Sequence, residues 1–219
     1  VLNVLNNVNC IVANSEFTKN LAIENGVTSD KIIVINPGVY PVKSIDNKTL
    51  NEAEKLLKDK NPRLITVSRL DKRKNHEKVI MALRNLKEIY PNIIYTCVGL
   101  GEEEKNIKKL VKELNLENHI RFLKDISQDL KNAFVSKSHV FVMPSIIHKT
   151  SVEGFGIAYV EAAQYGIPSI GGKDGGASDA IKNNETGISC DGNNLEEIYS
   201  SIDLILKNNS YVEMGKKAK

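Results

Sequence analysis

The 219 residues are 41% hydrophobic and 26% charged, an ordinary globular composition with chain enough for one complete core and about one and a half average domains. With 30 basic against 27 acidic side chains the net charge is +3, which excludes a nucleic-acid or anionic-membrane footprint over the whole surface, so functional positive charge has to be local. No apolar run approaches the roughly twenty residues of a membrane helix, and the first residues lack the pattern of a signal peptide.

Short apolar runs alternate with charged, helix-period segments. "CIVAN", holding Cys10, and "KIIVI" come first, then a polar segment, 41–62, with Pro41 and Pro62 near its ends, which reads as a linker. "RLITVS" follows, and just beyond its strand stand Arg69, Lys72, Arg73 and Lys74. In an open parallel sheet that edge is where ligands bind, and a guanidinium with an ammonium suits a diphosphate. Arg69 and Lys74 are expected to serve a ligand, and Lys72 and Arg73 to be solvated charges. From His76 to Ile89, Val79, Ile80, Leu83 and Leu86 form one apolar stripe, predicting a helix that packs on a sheet.

"IIYTCVG", with Cys97, ends in Gly99-Leu100-Gly101 before a helix over 103–114, striped by Ile107, Leu110, Val111 and Leu114. A dinucleotide fingerprint would need a third glycine where Glu104 stands, so the pair is either a tight strand-to-helix turn or a place where phosphate or ribose lies close. "HIRFL", "HVFVMPS" and "IPSIGG" complete the apolar runs, a βαβ pattern that predicts an α/β fold with a parallel sheet. Cys10, Cys97 and Cys190 have no metal-ligand spacing and are expected to be reduced core residues, a cytoplasmic signature. Neither a P-loop, an H-E-x-x-H, a G-x-S-x-G nor an Asp-x-Asp pair occurs, which disfavours a dedicated divalent-metal site.

The most informative stretch is "VEGFGIAYVEAA", residues 152–163. Its glycines predict a loop leading into a helix near Gly156, with the N–H groups of Phe155, Gly156 and Ile157 turned toward the strand ends. Glu153 then lies in the loop and Glu161 in the second helical turn. Two carboxylates either side of a phosphate can each accept hydrogen bonds from a polyol, the layout of a nucleotide sugar. The plainer readings are that Glu153 complements the helix dipole and that Glu161 is a surface residue, although Ile157, Val160, Ala162 and Ala163 leave it no broad polar face.

At these residues the chain resembles the donor-binding half of the retaining GT-B glycosyltransferases, family four, glycosyl transferases group 1. The resemblance rests on "VANSEFTKNLAIENGV", "KIIVINPGV", "VSRLDKRKNH", "CVGLGEEE", "HIRFLKDIS", "VFVMPS", "EGFGIAYVEAAQYGIPSIGGKDGGASDAI" and "ETGISC". It implies a Rossmann-like parallel sheet with helices on both faces, the C-terminal half of a GT-B fold. It also implies transfer from a UDP- or GDP-linked sugar to a hydroxyl acceptor without a metal or other cofactor. By the same resemblance Arg69 and Lys74 bind the diphosphate, Glu153 the transferred sugar, Glu161 the ribose, and the amides of Phe155, Gly156 and Ile157 complete the pocket. Gly99 and the pair Gly175 and Gly176 border it, and Leu123 and Lys124 meet the base.

This sequence departs from the family's common pattern at Ser68, Asn75 and Lys124, where many relatives carry glycine, and in its 146–151 loop, where His148 and Lys149 could touch donor or acceptor. Residues 1–41 resemble the tail of an N-terminal domain that holds the acceptor, and 42–219 the nucleotide-sugar-binding domain without its final crossover helix. The expectation is therefore a truncated, cytoplasmic piece that binds nucleotide but does not turn over, with the complete enzyme able to sit at the inner membrane face. A nucleotide-sugar epimerase and a non-catalytic nucleotide-binding module are the rival functions.

Overall fold

Each of these apolar runs becomes a strand in the computed structural model, which describes residues 2–42 and 44–219. The first unit comprises α1 (Leu2–Asn7), β1 (Ile11–Ala13), α2 (Glu16–Glu24) and β2 (Ile32–Val34). Here β1 and β2 pair in parallel as a separate two-stranded sheet, not as part of the main one. Helix α2 starts at Ser15 because Ser15 and Thr18 cap each other's backbone reciprocally, a capping box.

Next come α3 (Asn47–Leu56), β3 (Arg63–Val67), α4 (His76–Ile89), β4 (Ile94–Val98), α5 (Glu104–Glu113), β5 (Ile120–Leu123), α6 (Gln128–Ser136), β6 (Val140–Met143), α7 (Ile157–Ala163), β7 (Ser169–Gly172), α8 (Ala177–Ala180), β8 (Gly187–Cys190), α9 (Leu195–Leu206) and α10 (Ser210–Ala218). Strands β3 to β8 form one parallel sheet in the order β5-β4-β3-β6-β7-β8. The expected linker 41–62 contains α3. Asp46 caps it by accepting the N–H of Thr49 at 2.9 Å, and Ala53 and Leu57 bury against the same core as Ala133 and Phe134 of α6.

Alternation along the strands builds the two faces. Leu64, Tyr95, Cys97, Val140, Val142 and Ile170 point to the side covered by α4, α5 and α9. Ile65, Ile94, Val98, Phe141 and Met143 point to the side covered by α3, α6, α7 and α8. Cys97 and Cys190 are core residues whose thiols burial pushes up to about 12, but Cys10 is exposed because the small β1-β2 sheet does not cover it. Among the described residues no helix is long and apolar enough to cross a membrane.

A polar thread crosses the first core. The Thr66 Oγ1 lies 2.7 Å from the Tyr95 hydroxyl, which is 2.9 Å from His76 Nδ1, and His76 Nε2 is 3.1 Å from Ser68 Oγ. With His76 only 1% exposed, burial pulls its pKa from 6.5 to about 4. The unfolded chain therefore binds a proton that the folded chain refuses between those values. Stability contributed by neutral His76 is present above pH 6.5 and is lost as pH falls toward 4, by about 3 kcal/mol. Urea unfolding at pH 7 and 4.5 should show a smaller acid loss in His76→Asn than in the parent; parallel losses would refute this assignment.

Candidate functional site

Strand order puts a switch point between β3 and β6, since the chain leaves β3 toward β4 and β5 on one side and runs β6, β7, β8 on the other. The crevice outside the carboxyl ends of such strands is the ligand position of open α/β sheets. The loop after β3 brings the basic cluster there, and the loop after β6 brings Glu153.

The basic loop is a single tight turn. Asp71 accepts the Lys74 N–H at 3.1 Å, and residues Lys72–Lys74 form one 3-10 turn before Asn75 at φ 61°. That left-handed conformation favours glycine or asparagine, which fits an asparagine at this position. Asn75 also ties the two loops together, its buried carboxamide donating to Pro144 O at 3.0 Å and Gly192 O at 2.7 Å.

This turn aims Arg73 inward. Expected to be a solvated charge, it is only 9% exposed and its Nη1 lies 2.9 Å from Glu153 Oε2, while Lys74 Nζ holds the same oxygen. Burial pushes the Glu153 carboxyl up, but Lys74 and Arg73 together outweigh it and hold the group below the usual carboxylate range. Burial pulls the Lys74 ammonium down, and Glu153 offsets this only in part, because one carboxylate is shared between two cations.

Lys74 and Glu153 line a hollow of about 310 Å³ together with residues 154–158, Met143, and Asn14 and Pro37 of the N-terminal unit. Phe155 is buried beneath it, Gly156 has φ 89°, and Ile157 is largely exposed. The N–H groups of these three have no partner in the hydrogen bonds recorded among the described residues. Asn14 crowds the hollow so closely that a Cβ at Gly154 would lie 2.9 Å from its Nδ2.

The remaining predicted residues are distributed along the same edge. The Arg69 side chain is 74% exposed and pairs with Asp71 at 3.1 Å, outside the hollow. Glu161 lies 3.9 Å from Lys131 of α6, in a shallow depression that shares Ala158 with the hollow. Gly175 and Gly176 sit against the Glu153 backbone, Gly176 N donating to Glu153 O at 2.8 Å. Gly99, at φ 143°, is there for close backbone approach, since a Cβ would come within 2.0 Å of Ser68 O. Leu123 and an exposed Lys124 mark the end of the edge strand β5. In the 146–151 loop His148 is half-buried and exchanges backbone hydrogen bonds with Ser151. A second hollow of about 270 Å³ lies by α8 and the end of α10, lined by Asp179, Lys182, Glu185 and Lys217 among others. It holds none of the predicted residues and lies away from the switch point.

A sequence model of the family described as "Glycosyl transferases group 1" matches residues 47–219. The chain belongs to that family. Its sheet is the GT-B C-terminal architecture, and it superposes on the Anabaena HepE crystal structure with UDP and glucose at a TM-score of 0.83. That match has 22% identity and covers 99% of this chain and 59% of that one. In sequence the chain is 28% identical over 214 residues to an uncharacterized glycosyltransferase of Haemophilus influenzae, covering 95% of the chain and 55% of that protein. It is also 28% identical over 157 residues to a GDP-mannose-dependent alpha-(1-6)-phosphatidylinositol monomannoside mannosyltransferase of Mycobacterium tuberculosis, covering 70% of the chain and 41% of that protein. The chain thus spans about half the length of these curated relatives.

Two residues that meet at this candidate site, Arg73 and Asn14, were not expected there from the sequence. Arg73 had no local signal, because Asn75 at φ 61° separates its turn from α4 and it is the turn, not a helix face, that aims the side chain inward. Asn14 had none, because its position depends on how the N-terminal unit docks. That docking uses Asp179, whose Oδ2 accepts Glu16 N at 2.9 Å and Asn36 Nδ2 at 3.3 Å.

Proposed function

We propose that this chain is the donor-binding part of a retaining glycosyltransferase that moves a sugar from a UDP- or GDP-linked donor to a hydroxyl acceptor, in cell-surface polysaccharide or glycolipid synthesis. The observation that carries this reading is the buried cluster at the switch point, in which two cations share one carboxylate beside an open hollow. The cluster has a net positive charge of one, so an arriving diphosphate finds a cation already desolvated and incompletely paired.

In this reading Lys74 and Arg69 take the diphosphate and stabilise the charge that grows on it as the glycosidic bond breaks. Arg69 is exposed and, among the described residues, its side chain is held only by Asp71, so it is free to fold over the ligand. Glu153 accepts from hydroxyls of the transferred sugar, and the amides of Phe155, Gly156 and Ile157 complete that pocket. Glu161 accepts from the ribose, the edge near Leu123 and Lys124 meets the base, and Gly99, Gly175 and Gly176 shape the walls. No metal or other cofactor takes part, charge being neutralised by the side-chain cations. The acceptor is held by a further N-terminal domain, and the whole enzyme works in the cytoplasm, at the inner membrane face when its acceptor is a lipid. The UDP and glucose of the Anabaena structure and the GDP-mannose of the mycobacterial relative support a nucleotide-sugar donor.

Thermal melting with a panel of UDP- and GDP-sugars tests the reading. A true donor at a hundred times its dissociation constant should add about 2.7 kcal/mol to the stability, and a flat panel would end the proposal. Arg69→Ala should weaken nucleoside diphosphate binding by about tenfold to a hundredfold, the worth of a hydrogen bond to a charged group; unchanged affinity by calorimetry removes Arg69 from the site.

A further inference from the structure

We propose that Arg73 is the positioning residue of Glu153, keeping its carboxylate fixed and ionised while Lys74 passes from Glu153 to the donor's diphosphate. The inference rests on the donor-binding reading above and adds a division of labour between two adjacent cations.

Three observations carry it. Both cations converge on Oε2 of Glu153, and Oε1 has no hydrogen-bond partner among the described residues. One oxygen is thus held from the protein side and the other is left to accept from a ligand. Next, Lys74 lines the hollow and Arg73 does not. The two differ in the same sense chemically, since an ammonium on a flexible stem can turn to a new anion whereas a planar guanidinium keeps its geometry. Finally, the Arg73 backbone is tied to the loop that carries Glu153. Its carbonyl accepts the N–H of Ile146, on the loop after β6 that continues to Glu153. The same loop therefore carries both the carboxylate and the partner of its counter-ion.

The physical need for a second cation follows from charge. When Lys74 moves to a diphosphate, Glu153 loses one counter-ion just as two negative groups arrive nearby. A buried carboxylate in that position would take up a proton or swing away, and in either state it would accept sugar hydroxyls less well. Arg73 removes that penalty without itself touching the donor.

The test is calorimetry on the full chain with UDP against UDP-glucose and GDP against GDP-mannose, in the parent, Arg73→Gln and Arg73→Lys. The parent should bind one nucleotide sugar more tightly than its diphosphate. Arg73→Gln should lose at least about tenfold of the preference for the sugar-bearing form, beyond any loss of affinity that diphosphate and nucleotide sugar share, and Arg73→Lys should recover part of that preference. A residue that only supports the fold would lower both affinities together, so equal losses overturn the proposal, as does a preference that survives in Arg73→Gln. Should Arg73→Gln melt far below the parent, Arg73→Lys decides, because it keeps the charge but not the fork: a preference wholly unchanged there removes any positioning role for the guanidinium. If the parent binds neither diphosphate nor nucleotide sugar, the donor-binding reading falls and this inference with it. If it binds diphosphate without any sugar preference, only the Glu153–Arg73 part is lost.

Discussion

Glu153→Gln is expected to lower the unfolding free energy by about 3–5 kcal/mol, the usual cost of removing one partner from a buried ion pair. Among the described residues the carboxylate is the one acid that bridges Arg73 and Lys74, and both cations reach its Oε2 from buried positions. With an amide in its place, two desolvated positive charges face each other without an anion. A nucleoside diphosphate supplies the missing negative charge, so UDP or GDP should raise the stability of Glu153→Gln more than that of the parent, even as selection for the sugar disappears. Urea unfolding with and without nucleotide measures both effects. Equal stability of variant and parent, or equal gains on adding nucleotide, would show that the cluster does not hold the charges together as described.

Gly176→Ala should cut donor binding about a hundredfold and cost about 1–3 kcal/mol of stability, toward the upper end. Gly176 has φ −81°, which any residue adopts, so backbone freedom is not its purpose. Space is. A Cβ there would lie 1.9 Å from the carbonyl oxygen of Gly154, a backbone atom that cannot rotate away, and 2.7 Å from Ser15 Oγ. Relief requires the 153–154 segment to move by about 1 Å, and Glu153 moves with it; a displacement of that size is enough to lose about two orders of magnitude in a positioned site. Thermal melting and calorimetry with the nucleotide sugar that stabilises the parent would separate the two losses. Parent-like donor affinity in a folded Gly176→Ala would mean that the close approach does not position Glu153.

Elements with strong periodicity were legible from the chain. The stripe of Val79, Ile80, Leu83 and Leu86 predicted a helix over 76–89, and α4 spans His76–Ile89. The apolar runs became β1 to β7 because alternation and β-branched content are local properties. β8 escaped direct reading because "GISC" is only four residues with a glycine at its head, too short to show a period. The α3 helix escaped because its polar residues and flanking prolines resemble a linker, and only the core beneath Ala53 and Leu57 holds it in place. Cys10 was misread for the converse reason. An apolar neighbourhood in sequence does not ensure a covering layer in space.

For the site, residue types and spacing were enough to mark the basic loop, the glutamates eight positions apart and the glycine-bounded loop between them, because each is a local arrangement of charge and backbone freedom. Which of these groups meet was decided by tertiary structure. Strand order made β3 and β6 neighbours, and that adjacency brought Arg73 to Glu153 across 80 residues of chain while leaving Arg69 outside the hollow. Local sequence sets what a segment prefers through torsions and periodic burial. The pairing of distant charges instead depends on the order in which strands pack and on the desolvation they share, and these exist only once the sheet has formed.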